Sequence, residues 1–175
     1  MASQKLPDLS ELLASVDTAA SRIKPRPAVV RSQSSANDLH IHAYYESYGE
    51  SSNAQIIQGL LANARKEYRS NNLMACQSAC VDLLQRSNCP TYATVKALHL
   101  LSGTVPIEKS FGYLEHARQT IKEASKTGDP AALKDPAMLQ TLYERTAELW
   151  ALYQREKAGE LFGAWPDAVE VKAQA

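Results

Sequence analysis

Cys76 and Cys80 stand four residues apart, and Cys89 follows them. On a helix the first two share one face, so both thiolates can reach one ion. A structural zinc site needs four ligands at a recognisable spacing. The next donors along the chain, Cys89, His99 and His116, fall at no such spacing. We therefore read Cys76 and Cys80 as small apolar side chains in a helix stripe. A stripe of that kind also disfavours a reactive thiol, which needs an electropositive, partly open setting. With 3 cysteines in all, the chain does not have the pattern of a disulfide-framed secreted domain.

Other residues raise the question of chemistry in turn. His40 and His42 point to one side of an extended chain beside Tyr44, Tyr45 and Tyr48. A metal or pH-sensitive contact is one reading; the favoured one is a segment that docks its tyrosines on the body, since tyrosine buries area at low entropy cost. Arg31-Ser-Gln-Ser34-Ser35 has the spacing of a basophilic kinase site, which makes Ser34 a candidate phosphosite. A phosphate there would add about −1.5 to −2 charge. Glu144 and Glu148 form a carboxylate pair at helical spacing, but a diiron bundle needs Glu-x-x-His motifs, and Glu115-His116 are adjacent. The chain holds no Walker loop, GxGxxG, GxSxG or HExxH, and its 7 glycines are scattered. The expectation is a chain with no catalytic residue, no metal and no cofactor.

The elements that carry these residues follow from composition and period. The chain has 175 residues, with 19 Lys+Arg against 19 Asp+Glu. The balance holds locally: residues 1–52 carry Lys5, Arg22, Lys24, Arg26 and Arg31 against Asp8, Glu11, Asp17, Asp38, Glu46 and Glu50. A balanced charge argues against a general nucleic-acid or anionic-membrane binder. No apolar run approaches the roughly 18–20 residues of a membrane span, and the N-terminus lacks the apolar core of a secretory signal. An intracellular protein, cytoplasmic or nuclear, is expected.

Leu6, Leu9, Leu13, Val16, Ala20 and Ile23 mark one stripe of an amphipathic helix over 1–23, with Asp8 and Glu11 near its positive end. Such a helix packs on the body, reaches for a partner groove, or stays disordered. Residues 24–52 hold Pro25, Pro27 and many small polar residues without sustained period, and read as a flexible linker. From Ser52 the 3.6 period is nearly continuous. Ser52 and Gln55 fit a capping box before Ile56, Ile57, Leu60, Leu61, Ala64 and Tyr68. Asn71-Asn72 makes a turn into Leu73, Cys76, Cys80, Leu83 and Leu84. Pro90 opens a third helix with Tyr92, Val95, Leu98 and Leu101 on its face, stopped by Gly103. Pro106 opens a fourth, stopped by Gly128, and Asp135-Pro136 launches a fifth that ends at Gly159 or Gly163. The tail 164–175 is expected to fray. No alternating apolar pattern brackets a hairpin, so the body over 53–163 is expected to be all-α, five helices in antiparallel hairpins.

Residues 59–90 resemble a tetratricopeptide repeat (TPR). Leu60 takes the first large apolar position, Ala64 the small one, Asn71 the turn, and Leu73, Cys76 and Cys80 the inner face of the second helix. The family's characteristic Trp and turn glycine are absent, and Leu83 stands where alanine is usual. The resemblance implies TPR-like stacking and a surface that binds a protein partner as peptide or helix; the balanced charge and the lack of a long apolar run add the expectation of no nucleic acid and no membrane. Aromatic residues with polar handles are favoured at interfaces. The expected partner-binding residues are therefore Tyr68, Tyr92, Tyr113, Tyr143, Trp150 and Trp165, with Leu9, Leu13 and Val16 of the N-terminal stripe. Alternatives are a bundle with a ligand or catalytic pocket between helices, marked by perturbed groups near His99 or His116, and a subunit of an obligate complex, marked by a large exposed apolar patch.

Overall fold

The computed structural model describes residues 8–14, 16, 26, 52–128 and 135–159. Among them the chain is all-α, with no strand. The helices are α1 (Leu9–Ala14), α2 (Ser52–Arg69), α3 (Leu73–Leu84), α4 (Thr91–Thr104), α5 (Ile107–Thr127) and α6 (Pro136–Lys157). Each packs on its neighbour in sequence from α2 to α6; α4 also touches α2 and α6, and α1 lies against α5. No helix of the described residues is long and apolar enough to cross a membrane.

Local chemistry sets the ends. Asp8 accepts a hydrogen bond from the Ser10 amide at 3.2 Å, which caps α1. Asn71 sits in the left-handed region, φ 61°, a conformation asparagine tolerates, and Asn72 then caps α3 by accepting from the Ala75 amide. Gly128 ends α5 in the left-handed conformation, φ 69°. Three boundaries differ by a residue or more from the sequence reading. Pro90 and Pro106 precede α4 and α5 as caps in extended backbone rather than opening them. Gly103 lies inside the last turn of α4, which runs to Thr104 and is stopped by extended Val105 before Pro106.

The core is centred on α4. The sequence reading gave this helix one apolar face, Tyr92, Val95, Leu98 and Leu101. The structure buries nearly all of it, including Ala93, Ala97, Leu100 and Gly103. Only one residue of α4, Lys96, is charged, and a helix apolar on every side belongs in the interior. α2, α3, α5 and α6 supply that surround. Full burial of Leu98, Leu100 and Leu101 contributes roughly 1.5–3 kcal/mol each.

In the N-terminal segment, the described helix is shorter than the stripe over 1–23. Leu9 and Leu13 are half-buried against the core and Val16 is buried. Leu12, outside the predicted stripe, is buried too, and its carbonyl accepts from Tyr113 Oη of α5 at 2.8 Å. Leu9, Leu13 and Val16 thus pack in cis on their own body. Arg26, within the stretch expected as a linker, is buried and tied to four elements of the body. The His40/His42 pair, Ser34, Trp165 and the tail lie outside the described residues.

Candidate functional site

Three places bring polar or aromatic side chains together. The first is a row on α4, where Tyr92, Lys96 and His99 share a face by helical spacing. Lys96 is 1% exposed, and its ammonium lies 5.5 Å from the Tyr92 ring centroid. Arg65 of α2 donates from Nη2 to Tyr92 Oη at 3.3 Å. His99 Nε2 lies 2.8 Å from Thr146 Oγ1 of α6, and that hydroxyl lies 2.7 Å from the Leu142 carbonyl. A carbonyl only accepts, so the Thr146 proton goes to Leu142 and His99 Nε2–H is the donor to Thr146. Burial, then the charges of Lys96 and Arg145, push the His99 imidazole well below its ordinary pKa. The ring is therefore neutral and Nε2-protonated, closed inside the core.

The second place is the socket around Arg26. Its Nη1 donates to the Ser102 carbonyl at 2.8 Å, the Val105 carbonyl at 2.9 Å and Ser110 Oγ at 3.1 Å. Its Nε donates to Glu156 Oε2 at 2.8 Å. The guanidinium also lies over the Tyr153 ring, 4.8 Å from its centroid. The main chain is fixed as well, because Tyr68 Oη donates to the Arg26 carbonyl at 2.9 Å. Ser102 Oγ gives its proton to the His99 carbonyl at 2.7 Å, so Tyr153 Oη donates to Ser102 Oγ at 3.2 Å. Burial pushes the Tyr153 phenol up to about 12, opposed by the Ser102 bond and the Arg26 charge. Burial also raises the Tyr68 phenol above its usual range.

The third place is an open groove of about 960 Å³ between the C-terminal half of α5 and the first turns of α6. Ile121 and Leu139 give it apolar floor, Arg118, Lys122 and Lys126 line it, and Tyr143 stands at its edge, 46% exposed. Its lining also includes Glu115, which takes a hydrogen bond from Arg118 at 3.2 Å, and Glu123. Trp150 lies two turns along α6 from Tyr143, on the same side. It is half-buried, with Phe111 edge-on at 5.0 Å and the Arg118 guanidinium 5.8 Å from its ring centroid. Neither His99 nor His116 is among the lining residues.

The predicted binders therefore separate. Tyr68, Tyr92 and Tyr113 are core residues and present no surface, because each hydroxyl has a partner inside the fold. Tyr143 and Trp150 come together on one face of α6. The Arg26 socket was missed; its only trace in the sequence is an arginine between two prolines, which by itself looks like an extended linker step.

Cys76 and Cys80 are buried free thiols. A hydrogen bond with Cys76 raises the Cys80 pKa most, and burial adds to it. Burial also raises Cys89, against the opposing effects of Thr94 and Arg86. Among the described residues no group of three or more His, Cys, Asp or Glu is placed to hold a metal ion. Compared with known proteins, the chain matches no protein-family profile, no curated protein and no solved structure.

Proposed function

We propose that this protein is a non-enzymatic interaction module that docks a peptide or helix of a partner protein along the α5/α6 groove. The observation that carries the reading is Tyr143, a large aromatic left exposed at the rim of an open groove with an apolar floor. Trp150 and Phe111 continue the aromatic surface along the same helix pair. An amphipathic partner helix presents anchors at matching turn spacing. Lys122 and Lys126 at the rim favour a partner that carries acids beside its apolar anchors. The order of packing, with each helix on the next and α4 also against α2 and α6, supports the TPR-like resemblance of residues 59–90.

The test is affinity purification from cells with the wild-type chain and with Tyr143→Ala as baits. A partner recovered by the first and depleted with the second, confirmed by a photo-crosslinker placed at Tyr143, supports the reading. Equal recovery of every reproducible partner by both baits removes it.

A further inference from the structure

The Arg26 socket has the construction of a ligand site. Among the described residues its walls come from the body: the Ser102 and Val105 carbonyls, the Ser110 hydroxyl, the Tyr153 ring and the Glu156 carboxylate. Every one of these turns an acceptor or a negative face toward the centre. Ser110 is no exception, because its proton goes to the Ser102 carbonyl at 2.7 Å, leaving its oxygen to accept from Arg26. The two carbonyls stand where α4 ends, at the negative end of its dipole. Such a set suits a planar cation with several N–H donors at fixed angles and a flat face for the tyrosine ring. An ammonium is a single point charge, with no second nitrogen to span from the carbonyls to the carboxylate and no flat face to lay on the ring.

The occupant belongs to none of the elements that build the socket. Arg26 is 76 residues from Ser102 and 130 from Glu156. Besides the side chain, a main-chain bond holds it among the described residues, from Tyr68 Oη to the Arg26 carbonyl. Any extended segment carries that carbonyl, so what the site selects is the arginine.

We propose that this socket is an arginine-recognition site, occupied in cis by Arg26, and that it takes an arginine-bearing peptide segment when Arg26 is withdrawn. The site lies at the opposite end of the α5/α6 pair from the Tyr143 groove and does not depend on the partner reading above. Ser110 and Glu156 mark one end; Lys126 and Leu139 mark the other.

The test uses the full chain carrying Arg26→Ala and a synthetic peptide of residues 22–30, titrated by calorimetry. Saturable binding is expected, weaker by about tenfold or more when the peptide's Arg26 is replaced by lysine, and weaker by a similar factor with the wild-type chain, whose socket is filled. Adding Glu156→Gln to Arg26→Ala is expected to weaken the arginine peptide several-fold. No saturable binding to a variant whose circular dichroism matches wild type overturns the proposal, as do equal affinities for the arginine and lysine peptides. Should Arg26→Ala fail to fold, the chain with Arg26→Lys carries the same titration, and absence of binding there overturns it equally.

Discussion

His99 makes the fold sensitive to mild acid, by an amount that can be worked out. In the native chain its ring is neutral: burial, Lys96 and Arg145 all disfavour the imidazolium, and Thr146 accepts the single Nε2 proton. In the unfolded chain the same imidazole titrates near its model value of about 6.5. Below that pH the unfolded state holds a proton that the native state does not, so stability falls as pH falls. For this group the loss begins as pH drops through the unfolded value and steepens toward about 1.4 kcal/mol per pH unit. Between pH 7.5 and 5.0 it amounts to about 2 kcal/mol. His99→Gln keeps an amide donor for Thr146 and removes the titration. Urea unfolding of both chains at pH 7.5, 6.5, 5.5 and 5.0, followed by circular dichroism, isolates the effect as the difference between them, in which His40, His42, His116 and the carboxylates cancel. The difference should shrink by about 2 kcal/mol toward acid. A difference that stays flat, or a wild-type chain that gains on the variant in acid, would mean that the ring is charged in the fold and would refute the reasoning.

Four other substitutions follow from the contacts and turns described above. Arg26→Ala strips a buried cation from two carbonyls and a hydroxyl and should cost about 3 kcal/mol in urea unfolding; a cost below about 1 kcal/mol would show the docking to be marginal. Gly128→Ala forces a Cβ into the left-handed turn that ends α5 and should lower stability by about 1 kcal/mol, whereas Asn71→Gly, at a similar φ, should be neutral or better. Tyr113→Phe removes the hydroxyl that holds the Leu12 carbonyl and should cost about 1 kcal/mol while speeding amide exchange in Leu9–Ala14 more than in α4; unchanged exchange in α1 would count against that bond as its anchor.

The hairpin of α2 and α3 was legible because its apolar stripe and its Asn-Asn turn agree: Ile57, Leu61, Ala64 and Tyr68 of the stripe are buried, although Leu60 is only half-buried and Ile56 is exposed. The all-α class and the order of helices could be read for the same reason. What pattern alone does not carry is which helix becomes the centre. α4 is nearly as apolar off its stripe as on it, so periodicity picked one face where the structure buries almost all of them. The Arg26 socket was illegible on different grounds. Its carbonyls are main chain, invisible to residue type, and its side chains come from α5 and α6. Tyr143 and Trp150 were both expected binders, but their sharing one face of α6 was not drawn from the sequence, although seven residues make about two helical turns.

The tyrosines show where interface chemistry and core chemistry part. A phenol is favoured at interfaces because it buries a ring while its hydroxyl still finds a partner. Tyr68 and Tyr113 do this within the chain. Each ring is buried in the body, and each hydroxyl donates to a carbonyl of the N-terminal segment, Arg26 in one case and Leu12 in the other. Between Leu12 and Arg26, Val16 is also buried and Leu13 packs against the core. The body thus holds this segment by a tyrosine hydroxyl at each of two places, with a guanidinium socket added at the second. The physical rule that marked these tyrosines as binders applies to them, with the N-terminal segment as what they bind. Tyr143 differs in having its ring outside, which is why the proposed docking groove rests on it and not on Tyr68 or Tyr113.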